Sequence, residues 1–181
     1  MSKWCDHYDI HIWAYCLMPN HVHLIVVPET EEGIRLAIGE AHRRYTRHIN
    51  FREGWRGHLW QGPFASYVMN GSYLLACSRY IELNPVRAKL VDKPDNWVWS
   101  SAGAHIKGKN DRLVKVEPLL QMVNKDWSDF LSSAYTEKDA ESLRKHERSG
   151  RPLGNEALVE RLEMKLGLTL KPQSPGRART R

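Results

Sequence analysis

The chain has 181 residues, 41% of them hydrophobic and 27% charged, which suits one folded domain with a tail and excludes global disorder. No apolar stretch approaches the roughly 18 residues of a bilayer-spanning helix, and Met1 to Ile10 carries charge where a signal peptide needs an apolar segment. A formal net charge of +6 and a pI near 9.3 favour a polyanionic partner, and the charge gathers at Arg43 to Arg56 and at Arg144 to Arg181.

Along the chain, Ile10 to Tyr15 alternates, with Ile10, Ile12 and Ala14 against His11, Trp13 and Tyr15, which predicts a strand. Pro19-Asn20 supplies turn chemistry, and His21 to Val27 predicts a second strand, ended by Pro28, that completes a hairpin. Glu31 to Asn50 has helical spacing, with Ile34, Ile38, Tyr45 and Ile49 on one side and Arg43, Arg44 and Arg47 largely elsewhere. Leu59 to Met69 reads as strand, turn, strand around Gly62-Pro63, and Tyr73 to Leu83 as a helix. Asn84 is suited to cap a further helix, with Pro85 at its first position, running to about Val91. Trp97 to Ser101 predicts an extended piece or packed turn that closes the core. Short helices are predicted over Val116 to Val123, Lys125 to Ala134 and Glu137 to His146. A capped amphipathic helix follows from Asn155 to Leu166, with Leu158, Leu162 and Leu166 four apart, and the Pro/Gly/Arg-rich stretch Lys171 to Arg181 is expected to be a disordered tail. The three cysteines (Cys5, Cys16 and Cys77) are odd in number and form no CxxC pair, so they read as reduced thiols of a cytoplasmic protein.

Two groups of residues carry chemistry. Residues two apart on a strand point to the same face, so His21 and His23 project together and suit a divalent metal if a third ligand comes from elsewhere. The pattern equally describes a strand with two exposed histidines. Tyr80 and Asn84 stand at i and i+4, which on a helix brings a phenol and an amide oxygen to one face. A phenol with a pKa of about 10 is a poor nucleophile near neutral pH and needs a metal-polarised phosphate or a nearby base. The alternative is that Tyr80 packs in the core and Asn84 only caps the next helix. Tyr73 has Cys77 four residues on, and Tyr67 falls in a predicted strand, which makes both weaker nucleophile candidates.

The segment Ala14-Tyr-Cys-Leu-Met-Pro-Asn-His-Val-His-Leu-Ile-Val-Val27 resembles the histidine-hydrophobic-histidine strand of single-tyrosine transposases. Leu59-Trp-Gln-Gly-Pro-Phe64, Arg79-Tyr-Ile-Glu-Leu-Asn-Pro-Val-Arg-Ala88, Trp97 to Ser101 and Gly150 to Gly154 resemble the segments that follow it in the REP-associated branch of that family. The matches come in order over most of the chain, which is more specific than any one motif. The resemblance implies a ferredoxin-like α+β sandwich and implies His21, His23 and Asn84 as ligands of Mg²⁺ or Mn²⁺. It implies Tyr80 as the nucleophile of a transesterification that leaves a 5′-phosphotyrosine and a free 3′-hydroxyl. The implied substrate is single-stranded DNA beside a hairpin. In such a sandwich a first strand and helix precede the hairpin. Only nine residues precede Ile10 here, so the first strand has no candidate, and an open sheet edge or a pairing with another chain is expected.

Arg43, Arg44, Arg47, Arg52 and Arg56, with Trp55 beside them, form a candidate phosphate-contacting helix and loop with an aromatic for base stacking. Arg151, Arg177 and Arg179 form a candidate DNA-binding appendage. The expected organisation is a nuclease domain over residues 1–105, a helical extension over 106–170 and a basic tail over 171–181, in a cytoplasmic, nucleoid-associated protein without a membrane segment. The competing expectations are a truncated, catalytically inactive DNA-binding relative and a metal-dependent hydrolase without a covalent tyrosine.

Overall fold

A computed structural model describes residues 1–133, 141, 143–146 and 149–171. The chain divides into two compact units, Met1–Phe64 with Leu75–Thr136, and Ala65–Leu74 with Glu137–Arg181.

The first unit opens with helix α1 (Ser2–His7), and Asp9, at φ 51°, turns the chain into strand β1 (Ile10–Leu17). Strand β2 (Val22–Pro28) pairs with β1 antiparallel, from Ile10 opposite Pro28 to Leu17 opposite Val22. The predicted hairpin is present, but its alternation is not uniform. The register slips between Ile12 and Ala14, so Trp13 sits in a bulge. An extra residue shifts the period-two pattern by one. Tyr15, expected opposite Ile10 and Ile12, therefore joins them in one buried cluster with Cys5, Ala37, Val114 and Val116. Ala14, Cys16 and Ile25 are buried outside that cluster, and Cys16 stands in register with His23.

Helix α2 (Gly33–Glu53) packs with α1 beside the hairpin and buries Ala37, Ile38 and Ile49. Its start demands glycine: a Cβ on Gly33 would lie 2.9 Å from Ile10 Cδ1 and 3.0 Å from the Tyr8 carbonyl oxygen. Gly54, at φ 68°, ends it in a left-handed cap.

One outer edge of the hairpin, that of β1, is covered, whereas among the described residues no strand or bridge lies along the outer edge of β2. Leu17 N donates to Trp99 O (2.8 Å), Ser101 N to Tyr15 O (3.0 Å), and Lys115 N to Ile12 O (2.9 Å). Cys16 bridges Ser100 antiparallel and Ile12 bridges Val114 parallel. Trp97 to Ser101 thus lies along this edge as a turn with one bridge at Ser100, burying Ser100 and Ser101 and leaving Val98 and Trp99 exposed.

The predicted strand pair over Leu59 to Met69 is absent; in this stretch only Met69 makes a bridge, to Leu153. Pro63 has no N–H to give a ladder, and Trp60 is satisfied locally, stacked on His42 at 4.1 Å with its Nε1 donating to His42 O at 3.3 Å. Helix α3 (Gly71–Glu82) leads through Leu83 into helix α4 (Asn84–Arg87). The cap of α4 is Leu83 and not Asn84, so Pro85 takes the second helical position and the Asn84 side chain makes no capping bond. Short helices α5 (Ala102–Ile106), α6 (Glu117–Leu120) and α7 (Trp127–Ser132) complete this unit.

In the second unit Leu153 N donates to Val68 O (2.8 Å) and Asn70 N to Leu153 O (3.1 Å). Helix α8 (Glu156–Leu166) begins as expected at Asn155, whose Oδ1 accepts from Leu158 N at 3.0 Å, and ends at Gly167 with φ 64°. Part of the predicted Glu137 to His146 helix, and the tail with Arg177 and Arg179, lie outside the described residues. The architecture is α+β, with a two-stranded antiparallel sheet among the described residues. No described helix is long and apolar enough to cross a membrane.

Candidate active site

The hairpin turn presents the histidines. Met18 N donates to His21 O at 2.9 Å, which holds His21 one residue before β2, not inside the strand as expected. The two imidazoles are still neighbours, with centroids 4.8 Å apart and planes at 83°. His21 Nδ1 lies 2.6 Å from Asn20 Oδ1. An amide oxygen there makes Nδ1–H the donor and turns Nε2 toward the Asn84 amide. His23 is more enclosed than His21; burial, then the charges of His21 and Arg87, push its pKa down to about 4. At neutral pH His23 is therefore an unprotonated imidazole.

Helix α3 supplies the phenol. Tyr80 is buried, with its ring 5.8 Å from that of His23. Leu83 keeps a right-handed helical conformation, and its N–H bonds Arg79 O at 3.0 Å, so the path continues across the α3–α4 junction. The i, i+4 relation of Tyr80 and Asn84 survives as a result. Asn84 Nδ2 lies 3.4 Å from His21 Nε2. Four residues that the sequence singled out for different reasons thus meet in one chain. Tyr67 and Tyr73 belong to the second unit, where the Tyr67 ring lies 6.3 Å from that of His146.

Sequence reading missed Arg87. Its guanidinium carbon stands 4.0 Å over the Tyr80 ring, Nη1 donates to Tyr80 O at 2.8 Å, and Nη2 donates to Asn84 Oδ1 at 3.2 Å. The signal was available, since Tyr80, Asn84 and Arg87 follow the i, i+4, i+7 spacing of one helix face.

Among the described residues, no three His, Cys, Asp or Glu side chains gather as a metal site. Beside the two imidazoles stands the Asn84 amide. Two adjacent imidazoles suit a divalent cation, and the Asn84 amide oxygen, which accepts from Arg87 Nη2 at 3.2 Å, would have to turn from that bond to join them.

The basic helix face is partly neutralised. Arg43 Nε and Arg44 Nε each lie 2.7 Å from the Glu40 carboxylate, whose pKa is held down to about 2 by these bonds, and Arg52 pairs with Glu53 at 2.5 Å. Among the described residues, Arg47 and Arg56 make no ion pair. Phe51, absent from the sequence expectation, is 91% exposed near Arg47 and His48, and Trp55 and Tyr45 are exposed as well. Arg151 is exposed in the second unit.

Residues 1–84 match the family model described as "Transposase IS200 like", a stretch that contains His21, His23, Tyr80 and Asn84. Over that stretch the chain is similar to the IS200-like transposases. More particularly, over 116 residues the chain is 26% identical to a Haemophilus influenzae (strain Rd) protein whose provisional name is REP-associated tyrosine transposase. That match covers 58% of this chain and 66% of the relative, so about a third of the relative's length lies outside it. No solved structure matches the chain.

Proposed function

We propose that the chain is a single-tyrosine DNA transposase that cuts and rejoins single-stranded DNA next to hairpins. The observation that carries this reading is the meeting of His21, His23, Asn84 and Tyr80 in one chain, with the two imidazoles 4.8 Å apart and the phenol ring 5.8 Å from His23. His21, His23 and Asn84 would hold Mg²⁺ or Mn²⁺, which when bound polarises the scissile phosphate. Tyr80 Oη attacks phosphorus, the P–O bond to the 3′ oxygen breaks, and the phenolic proton ends on the released 3′-hydroxyl. The product is a 5′-phosphotyrosine. Phosphodiester energy stays in that link, so rejoining by a 3′-hydroxyl needs no nucleotide cofactor. Arg87, over the Tyr80 ring and bonded to its carbonyl oxygen, would hold the phenol in place for attack.

The strand would lie along α2 and the loop after it. Arg47 and Arg56 have positive charge free for phosphates, and Phe51 and Trp55 offer aromatic faces for unpaired bases. Arg151, with the tail residues Arg177 and Arg179, adds phosphate contacts. The protein would act on chromosomal DNA in the cytoplasm, with a core related to the ferredoxin-like sandwich.

The test incubates purified protein and its Tyr80→Phe variant with labelled hairpin DNA bearing single-stranded flanks and Mn²⁺, followed by denaturing gels. A DNA–protein adduct is expected with the wild type and with neither the variant nor EDTA-treated protein. Cleavage by both proteins without an adduct would mean a hydrolase. Binding without cleavage across several hairpins would mean an inactive DNA-binding relative.

A further inference from the structure

Glu82 lies between Tyr80 and Asn84 in sequence, and a helical step of two residues turns about 200°, so it leaves the helix on the side away from them. It is fully buried. A buried carboxylate is costly unless its oxygens are satisfied, and here both accept hydrogen bonds. Oε1 accepts from Ser101 Oγ at 2.5 Å and from His105 Nδ1 at 2.7 Å, and Oε2 accepts from Trp127 Nε1 at 2.7 Å. The Trp127 ring stacks on that of His105 at 4.4 Å, and His105 is itself 1% exposed.

The network ends on the hairpin. Ser101 Oγ accepts from Tyr15 N at 2.9 Å, and Ser101 N donates to Tyr15 O at 3.0 Å. Tyr15 is followed by Cys16, which stands in register with His23. A short chain of bonds therefore runs from the helix of Tyr80 and Asn84, through Glu82 and Ser101, to the strand facing His23. Ser101, His105 and Trp127 all lie beyond residue 84, where the family match stops.

We infer that Glu82, with Ser101, His105 and Trp127, is the positioning device of the site, locking the Tyr80 helix against the hairpin that carries His21 and His23. The inference rests on reading those side chains as one site. Buried ionic groups often contribute no more stability than apolar residues of similar volume. A carboxylate with three converging donors adds directionality, because its oxygens accept only along defined lines.

The test compares Ser101→Ala with Val116→Ala, a core substitution in the cluster around Ile12, at matched loss of melting temperature. The first readout is the NMR cross-relaxation between the His23 and Tyr80 rings, which needs no metal. It is expected to vanish in Ser101→Ala and persist in Val116→Ala. Glu82→Gln is the second variant: it turns one carboxylate oxygen into a donor facing donors and is expected to lose the same signal. The second readout is Mn²⁺ affinity of the full chain by electron paramagnetic resonance, expected to fall about tenfold in Ser101→Ala and to hold in Val116→Ala, as for lost outer supports of a metal site. Persistence of the ring contact in both network variants, or its loss in Val116→Ala as well, overturns the inference. If the wild type takes up no Mn²⁺ while the ring contact still depends on Ser101, the positioning role stands and the proposed chemistry falls.

Discussion

At the scale of single residues, the site depends on how Asn84 and Arg87 spend their hydrogen bonds. Asn84 reads from sequence as a helix cap, and that use would have turned its amide toward the backbone of α4. Leu83 takes the cap position instead, which leaves the Asn84 amide between His21 and Arg87. Arg87 then touches both the ring and the carbonyl oxygen of Tyr80. A cation over an aromatic face contributes about 0.5–2 kcal/mol, so Arg87→Ala is expected to slow adduct formation by about tenfold. DNA affinity measured by anisotropy should change little, because this guanidinium is engaged inside the site. A loss of affinity equal to the loss of rate would instead make Arg87 a DNA contact.

At the scale of elements, helix α2 carries the basic face, and its charges are not equivalent. Glu40 binds two arginines at once, and with its pKa held near 2 it remains ionised through the whole neutral and mildly acid range. Its depressed pKa means that the pairing is complete above the ordinary carboxylate range and is lost only as pH falls toward about 2. Glu40→Gln should release Arg43 and Arg44 to phosphates. Affinity for an unstructured single strand is then expected to rise at low salt, and the plot of log affinity against log salt to steepen by about 0.7 for each added contact. An unchanged slope would show that α2 lies off the DNA path. The hairpin makes a different point: one bulged residue, Trp13, reassigns the faces of the strand beyond it, so that Tyr15 joins the Ile12 cluster while Cys16 aligns with His23.

At the scale of the whole molecule, residues 1–105 pack against core residues that follow them in the chain. The sequence suggests a boundary near residue 105, yet Val114, Val116 and Leu119, each at most 1% exposed, belong to the first compact unit. Burying each stabilises by about 1.5–3 kcal/mol, and together they approach the whole net stability of a domain, about 5–15 kcal/mol. Trp127 also satisfies a buried oxygen of Glu82. A fragment of residues 1–105 is therefore expected to show no cooperative melting by circular dichroism, whereas one extended to residue 136 should melt cooperatively. What the sequence by itself determined were features with short-range causes: the β1–β2 hairpin, the α2 periodicity, the Asn155 cap, the histidine pair two residues apart and the tyrosine–asparagine pair four apart. These depend on backbone periods and turn chemistry that neighbours along the chain dictate. Only the tertiary structure decided that residues 99–101 and 114–115 cover the edge of β1, that the Gly62-Pro63 segment forgoes a strand pair, and that Glu82 joins residues 101, 105 and 127. Those outcomes turn on which distant groups can satisfy buried donors and acceptors, and no local pattern encodes the partner that a buried oxygen will find.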